Sequence, residues 1–273
     1  MFVIIDGSSM LQTCFYSTLP FYYYRAKSPK ERRRALVRLM RSPDGECVNG
    51  AYAMTRSLIA LYEKYMPEQM AVAWDSRSNF RKTMYKNYKS GRAAMLPELG
   101  GQFPVMKRIL KMAGIPQFEA EGFEADDVIA TLCRQVDSPA RIYSKDADLL
   151  QLVSDRVRVW LVTKKAEGMY KEIGINPKSL NLLPNVFEFT PPLVEKFYGV
   201  KPERLPDKVA LMGDRSDSIP GVYGIGDKAA AQIIKTFGSI EAMYARLEAL
   251  PEEKDRLALF IQHDLRCSWL DTL

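Results

Sequence analysis

Three short β-rich runs in this chain each lead into an aspartate. Phe2-Val3-Ile4-Ile5 meets Asp6-Gly7-Ser8-Ser9, which reads as a turn. Residues 70–74 meet Asp75, and residues 141–143 meet Ser144-Lys145-Asp146. A fourth run covers 157–162. Helical patterns fill the intervals: 50–65, then 102–113 stopped at Gly114 with Pro116 beyond, then 124–136 with acids in its first turn, and a stretch from Asp148 through Val153. Strands alternating with helices imply a parallel sheet covered on both faces, so the first part of the chain is expected to be α/β. In such a sheet Asp6, Asp75 and Asp146 all fall at the carboxyl edge, where open α/β folds place their sites.

After Pro184 the character changes. Residues 191–270 carry helical patterns separated by Gly and Pro turns, with no convincing strand. The expected organisation is an α/β domain over 1–182 and a small all-α domain over 183–273. No internal repeat is present.

Composition removes several chemistries. His263 is the only histidine, so Ser-His-Asp triads, His-ligated zinc and HExxH peptidases lack parts. Cys14, Cys47, Cys133 and Cys267 lie far apart without a CxxC pair, which argues against a disulfide framework or a thiolate zinc site and for a reducing cytoplasm. No apolar run approaches the ~18 residues of a membrane span, and no secretory signal opens the chain. The remaining reactive groups are carboxylates, hydroxyls and cations.

Those groups are clustered. Glu124, Asp126 and Asp127 begin a helix that could point at the same sheet edge, Asp148 lies two residues past Asp146, and Asp214 and Asp217 precede a glycine-rich turn. Taken singly, each aspartate suits a cap or a turn. That reading leaves unexplained why three separate strands all end in one. Converging carboxylates without histidine repel unless cations neutralise them, and hard oxygen ligands suit Mg²⁺ or Mn²⁺. Two such ions can activate water against a phosphodiester.

Net charge is +6, and its distribution matters more than its size. Arg25, Lys27, Lys30, Arg32, Arg33, Arg34, Arg38 and Arg41 follow the run Phe21-Tyr22-Tyr23-Tyr24, with Glu31 as the one acid among them. Arg77, Arg81, Lys82, Lys86, Lys89 and Arg92 are interleaved with Phe80, Tyr85 and Tyr88. Either run could also be a solvated helix face. In Ile219-Pro220-Gly221-Val222-Tyr223-Gly224-Ile225-Gly226-Asp227-Lys228, the glycines Gly221, Gly224 and Gly226 allow a tight hairpin between helices, with Lys228 in the next helix's first turn. Backbone N–H groups there can meet phosphate oxygens. No strand precedes these glycines, so a dinucleotide fingerprint is excluded. The pattern looks like a helix-hairpin-helix element.

Five motifs occur in order: Val3-Ile4-Ile5-Asp6-Gly7-Ser8-Ser9, Ala73-Trp74-Asp75, Phe123-Glu124-Ala125-Asp126-Asp127-Val128-Ile129, Asp146-Ala147-Asp148, and Leu211-Met212-Gly213-Asp214-Arg215-Ser216-Asp217-Ser218-Ile219-Pro220-Gly221. Together they resemble the 5′–3′ exonuclease/flap endonuclease family, in the form found at the N-terminus of bacterial DNA polymerase I, here as a stand-alone chain. The resemblance implies a PIN-like, mostly parallel sheet flanked by helices and a C-terminal helix-three-turn-helix domain. It also implies a two-Mg²⁺ (or Mn²⁺) site and hydrolysis of DNA at 5′ flaps and 5′ ends in replication and repair by a cytoplasmic monomer without membrane association. By position, Asp6, Asp75, Glu124 and Asp126 match ligands near the scissile phosphate, and Asp127, Asp146, Asp148, Asp214 and Asp217 match a second cluster. Arg81 and Lys89 match catalytic cations of a helical arch at about 77–100. Tyr88, Arg92, Gly221, Gly224, Gly226 and Lys228 match DNA contacts, and the hairpin matches a K⁺ site of some members.

The chain departs from the pattern in three places. Thr13 stands where the family commonly has Arg, Ala147 lies between Asp146 and Asp148, and residues 20–46 form a longer, more basic connection. Two other readings stand beside this one: a PIN-type ribonuclease, and a DNA-binding relative with weak or lost catalysis.

Overall fold

The structure, a computed structural model, describes residues 1–250. His263, Cys267 and the end of the expected helical region lie outside the described residues. The chain divides into two compact units. One comprises residues 1–80, 93–147 and 156–188; the other comprises 81–92, 148–155 and the chain from Phe189 onward.

The first unit is built on β1 (Phe2–Asp6), whose five residues are all buried. A strand this apolar on both faces needs cover on both sides, the condition of a parallel sheet enclosed by helices. Val3 and Ile5 join one core cluster with residues of α1 (Gly7–Ser17), α4 (Asn49–Tyr65) and α7 (Gln102–Met112). Ile4, equally buried, points to the opposite face by strand alternation. Between α1 and α4 lie two short helices, α2 (Phe21–Arg25) and α3 (Pro29–Leu36).

The chain continues through β2 (Gln69–Ala73), α5 (Phe80–Met84), α6 (Pro97–Gly100), α7 and β3 (Gln117–Phe118). It then forms α8 (Ala125–Gln135), β4 (Ala140–Ser144), a 3₁₀ turn over Asp148–Leu152, β5 (Val157–Val162), α9 (Ala166–Glu172) and β6 (Val186–Phe189). Strand order is β3-β2-β1-β4-β5-β6. β1 is parallel to both β2 and β4, with Ile5 opposite Val72 on one side and Tyr143 on the other. The pairs β2–β3 and β4–β5 are parallel as well.

One local expectation needs correction, and two strands were not foreseen. Asp6-Gly7-Ser8-Ser9 is not a turn: Asp6 accepts the Ser9 N–H at 3.0 Å and caps α1 directly. Gly7 is required there, because a Cβ would sit 2.6 Å from Val72 Cγ1 and 2.8 Å from Trp74 Cε3. The edge strands β3 and β6 escaped sequence reading. β3 is two residues long, and β6 follows Pro184, so the sheet outlasts the change in composition.

In the second unit, α10 (Pro191–Tyr198), α11 (Leu205–Met212), α12 (Asp227–Phe237) and α13 (Ile240–Glu248) follow one another. Lys208 ties three of them: fully buried, it donates to the Tyr198 carbonyl at 2.7 Å and pairs with Asp227 at 2.6 Å. Asp214 and Ile219 exchange backbone hydrogen bonds of 2.9 and 2.8 Å, closing the loop between α11 and α12. Gly213, at φ +76°, lies so near Gly221 that a Cβ would fall 2.3 Å from its nitrogen. Of the arch expected at about 77–100, only α5 and α6 are helical; Lys89 at φ +56° breaks any helix through the middle.

Candidate metal centre

In the strand order, β2 and β3 extend the sheet to one side of β1, and β4 to β6 extend it to the other. The chain therefore reverses direction across the sheet between β1 and β4, the switch point at which open α/β sheets leave a crevice beyond their carboxyl ends. Asp6 ends β1, Asp146 follows β4 by two residues, and Asp75 follows β2 by two. Asp126 lies in the first turn of α8, and Glu124 is its N-cap.

Asp6, Asp75 and Glu124 each receive an orienting hydrogen bond. Asp6 accepts the Ser144 hydroxyl at 2.6 Å in addition to the Ser9 N–H. Ser144 in turn accepts the Asp146 N–H at 2.9 Å, so one buried hydroxyl links the ends of β1 and β4. Asp75 accepts the Ala125 N–H at 2.8 Å, while its own N–H donates to Ser8 Oγ at 2.9 Å. Asn79 Nδ2 donates to Glu124 Oε1 at 2.7 Å. Asp127 closes a capping box, accepting the Glu124 N–H at 3.0 Å. Ser8, Asn79 and Ser144 were given no role at the site by the sequence. Their signal was present: two are serines beside the aspartates that end strands.

Electrostatics show which side chains share a field. Asp126 is pushed up to about 8, first by burial and then by the charges of Asp6, Asp146, Asp75 and Glu124. Asp6 is raised to about 6, again by burial first. Its hydrogen bonds from Ser144 and Ser9 oppose the rise, and Asp75 and Asp146 add to it. The charges of these neighbouring carboxylates thus bear on two, Asp6 and Asp126, that are desolvated. Among the described residues no three Asp, Glu, His or Cys side chains are drawn tightly enough as they stand to enclose an ion. The donor chemistry still fits one: the group offers only hard oxygens, and its repulsion is of the kind a divalent cation removes.

The family models settle descent. The 5′–3′ exonuclease N-terminal resolvase-like domain matches residues 1–178, and the 5′–3′ exonuclease C-terminal SAM fold matches 200–268. The chain belongs to the 5′–3′ exonuclease family. It is 34% identical over 257 residues to a 5′-3′ exonuclease of Aquifex aeolicus, covering 93% of this chain and 75% of that one. It is also 34% identical over 256 residues to DNA polymerase I of Bacillus caldotenax, covering 92% of this chain but 25% of that protein. The chain therefore spans about a quarter of the length of its polymerase relatives. Its fold resembles that of the T5 5′-exonuclease solved with bound divalent metal ions (zinc), with a TM-score of 0.61 and 22% identity over 97% of this chain and 85% of that one. The mostly parallel sheet and separate helical region expected from sequence are those of the exonuclease family. Among the described residues no helix is long and apolar enough to cross a membrane.

The other expected site residues of this exonuclease-family chain lie in the second unit. Asp217 is buried and forms an ion pair with Arg92 Nη2 at 2.5 Å and with Lys89 Nζ at 3.8 Å. The Lys89 N–H donates to the Asp217 carbonyl at 2.8 Å, and the Gly91 N–H to Ser218 Oγ at 3.2 Å. Asp214 accepts the Ser216 N–H at 2.7 Å. Asp148 opens the 3₁₀ turn, and Arg81 lies within α5. Tyr88, expected as a DNA contact, is buried with Lys89 Nζ 4.9 Å above its ring centre, so it packs beneath a cation instead of facing solvent. Gly224 takes φ +80°, a conformation that favours glycine. Gly226 has an ordinary φ of −100° as the cap of α12, and Lys228 is exposed in that helix's first turn.

Proposed function

We propose that this chain is a metal-dependent, structure-specific 5′ nuclease that hydrolyses DNA phosphodiesters at 5′ flaps and 5′ ends. One observation carries the reading: at the sheet's switch point Asp126 and Asp6 are raised to about 8 and about 6, first by burial and then by the charges of the carboxylates beside them. Such an arrangement destabilises the empty protein and favours a divalent cation. We assign Mg²⁺, with Mn²⁺ as a substitute, to Asp6, Asp75, Glu124, Asp126 and Asp146. When bound, such an ion lowers the pKa of water and stabilises the leaving oxygen of a phosphodiester.

The chain's own groups supply orientation. Ser144 and the Ser9 N–H fix the Asp6 carboxylate, the Ala125 N–H fixes Asp75, and Asn79 fixes Glu124. Partners of this kind set the aim of a ligand that its own rotamer leaves free. In the second unit, Lys228 and the backbone N–H groups at the start of α12 are suited to phosphate oxygens, which carry no base information. We assign Arg81, Lys89 and Arg92 to positioning the 5′ strand, and Gly221, Gly224 and Gly226 to the shape of the hairpin. Asp127, Asp148, Asp214 and Asp217 are the remaining acidic positions that the family resemblance nominates. DNA is the partner, and the cytoplasm, with free thiols at Cys14, Cys47 and Cys133, is the compartment.

The test compares cleavage of 5′-flap DNA, blunt duplex DNA and single-stranded RNA in Mg²⁺, in Mn²⁺ and in EDTA. The reading expects cleavage of the flap in either metal and none in EDTA. Undiminished cleavage in EDTA would remove the metal assignment. A preference for RNA would favour the ribonuclease reading.

A further inference from the structure

The connection between α1 and α4 has no part in the chemistry proposed above, yet it is neither short nor neutral. Eight basic residues lie between positions 25 and 41 against one acid, Glu31. The segment is also ordered by its own local rules. Ser28 caps α3 by accepting the Glu31 N–H at 3.2 Å, and Pro29 occupies the first helical position. Ala35, Leu36 and Leu39 are buried, and Tyr23 packs against the same core as Leu36 and Leu39. Those anchors decide what faces outward.

What faces outward is aromatic and cationic. Phe21 is 67% exposed, Tyr24 59% and Tyr22 43%, and all eight basic residues are exposed. Guanidinium groups lie over two of the rings: Arg25 is 4.3 Å from the centre of Phe21, and Arg38 is 5.8 Å from that of Tyr22. Among the described residues none of the eight cations forms an ion pair with an acidic side chain. Beside this surface runs a groove of about 510 Å³ with an apolar floor that includes Leu39, Met40 and Tyr52. Arg38 and Arg56 line it, and no acid does.

We propose that residues 20–41, with Tyr52 and Arg56, form a second nucleic-acid site that binds single strands, stacking bases on Phe21 and Tyr22 and pairing phosphates with Arg32, Arg33, Arg34 and Arg38. Exposed rings beside exposed cations are what a flexible polyanion with unstacked bases requires, since every base offers a π-face and every linkage a charge. A duplex hides its base faces and would leave the rings unused. An acidic peptide would account for the arginines but not for the exposed aromatic set. The site does not depend on the metal centre, so it stands or falls separately from the nuclease reading.

The experiment uses the whole chain in EDTA, so that binding is measured without metal-dependent cleavage. The probe is a labelled oligothymidylate of about 15 nucleotides, within the span such sites cover, followed by anisotropy over a salt series. Phe21→Leu with Tyr22→Leu should weaken binding on the order of 10-fold while leaving the salt slope unchanged, because stacking is lost and charge is kept. Changing Arg32, Arg33 and Arg34 to Gln should reduce the slope of log K against log salt by about 2, the share of three phosphates on a single strand. Phe21→Trp gives an independent signal: it should bind like the unaltered protein, with its fluorescence quenched as thymine stacks on it. Unchanged binding by the leucine pair, or no quenching of the tryptophan, would overturn the proposal. So would equal affinity for a duplex at the same salt, or displacement of the oligonucleotide by a glutamate-rich peptide of equal charge.

Discussion

Replacing Asp126 with Asn should stabilise the metal-free protein while removing its metal-dependent activity. The reasoning is linkage. In the unfolded chain this carboxyl titrates near 3.8, and in the fold it is pushed up to about 8 by burial and by four neighbouring acids. Between those values the folded state holds a proton that the unfolded state has released, so stability falls as pH rises through the window and levels off above about 8. If the whole shift acted at this one residue, the cost at neutral pH would be about 4 kcal/mol. The repulsion is shared with Asp6 and the other carboxylates, so removing one charge should recover only a part, about 1–3 kcal/mol. For a chain of this size that is a rise in melting temperature of roughly 2–4 °C per kcal/mol. The assay is denaturation by urea or heat in EDTA at several pH values from acid to pH 8. The variant should exceed the unaltered protein most at the alkaline end and converge with it toward acid, and Mg²⁺ should stabilise the unaltered protein more than the variant. A variant no more stable at pH 8, or a gap independent of pH, would refute the account of the crevice.

Four further outcomes are expected. Ser144→Ala removes the hydroxyl that favours ionised Asp6, so the Asp6 carboxyl should rise above about 6, and metal affinity should fall about 10–100-fold; calorimetric Mg²⁺ titration across pH reads both. Gly7→Ala should destabilise the first unit by about 1–3 kcal/mol, since the added carbon meets Val72 and Trp74 at 2.6 and 2.8 Å; urea denaturation in Mg²⁺ measures it. Lys228→Ala should raise the Kd for flap DNA and cut the salt slope by about 1, and Gly224→Val should act more severely because position 224 is at φ +80°; anisotropy on a flap with and without duplex behind it separates lost grip from lost fold.

The carboxylates of the candidate site were legible because one sequence position suits two readings. Asp6 was open to reading as a cap or as a metal ligand, and it is in fact the cap of α1 while also sharing the field of Asp75, Asp126 and Asp146. Capping and ligation need the same short carboxylate at the same sheet edge, so the two readings were never competitors. Strands β1, β2, β4 and β5 were visible because each buries most of its residues, and β1 and β5 are also rich in β-branched and aromatic side chains. β3 and β6 were not, because a two-residue edge strand has no period to detect, and Val186-Phe187-Glu188-Phe189 lies past a proline in a polar stretch. Glu188 shows why that short strand holds: it takes Arg141 at 3.1 Å, Arg158 at 2.8 Å and the Trp160 indole N–H at 2.7 Å, three donors from β4 and β5. Such pairings join residues 28 to 47 positions apart, and no window along the chain contains both ends. Ser144 illustrates the same limit at the crevice. Its hydroxyl reaches Asp6 across 138 positions, and only parallel pairing of β1 with β4 makes that distance 2.6 Å. Which aspartates meet was therefore readable from where strands end, whereas what aims them depends on the register of the sheet.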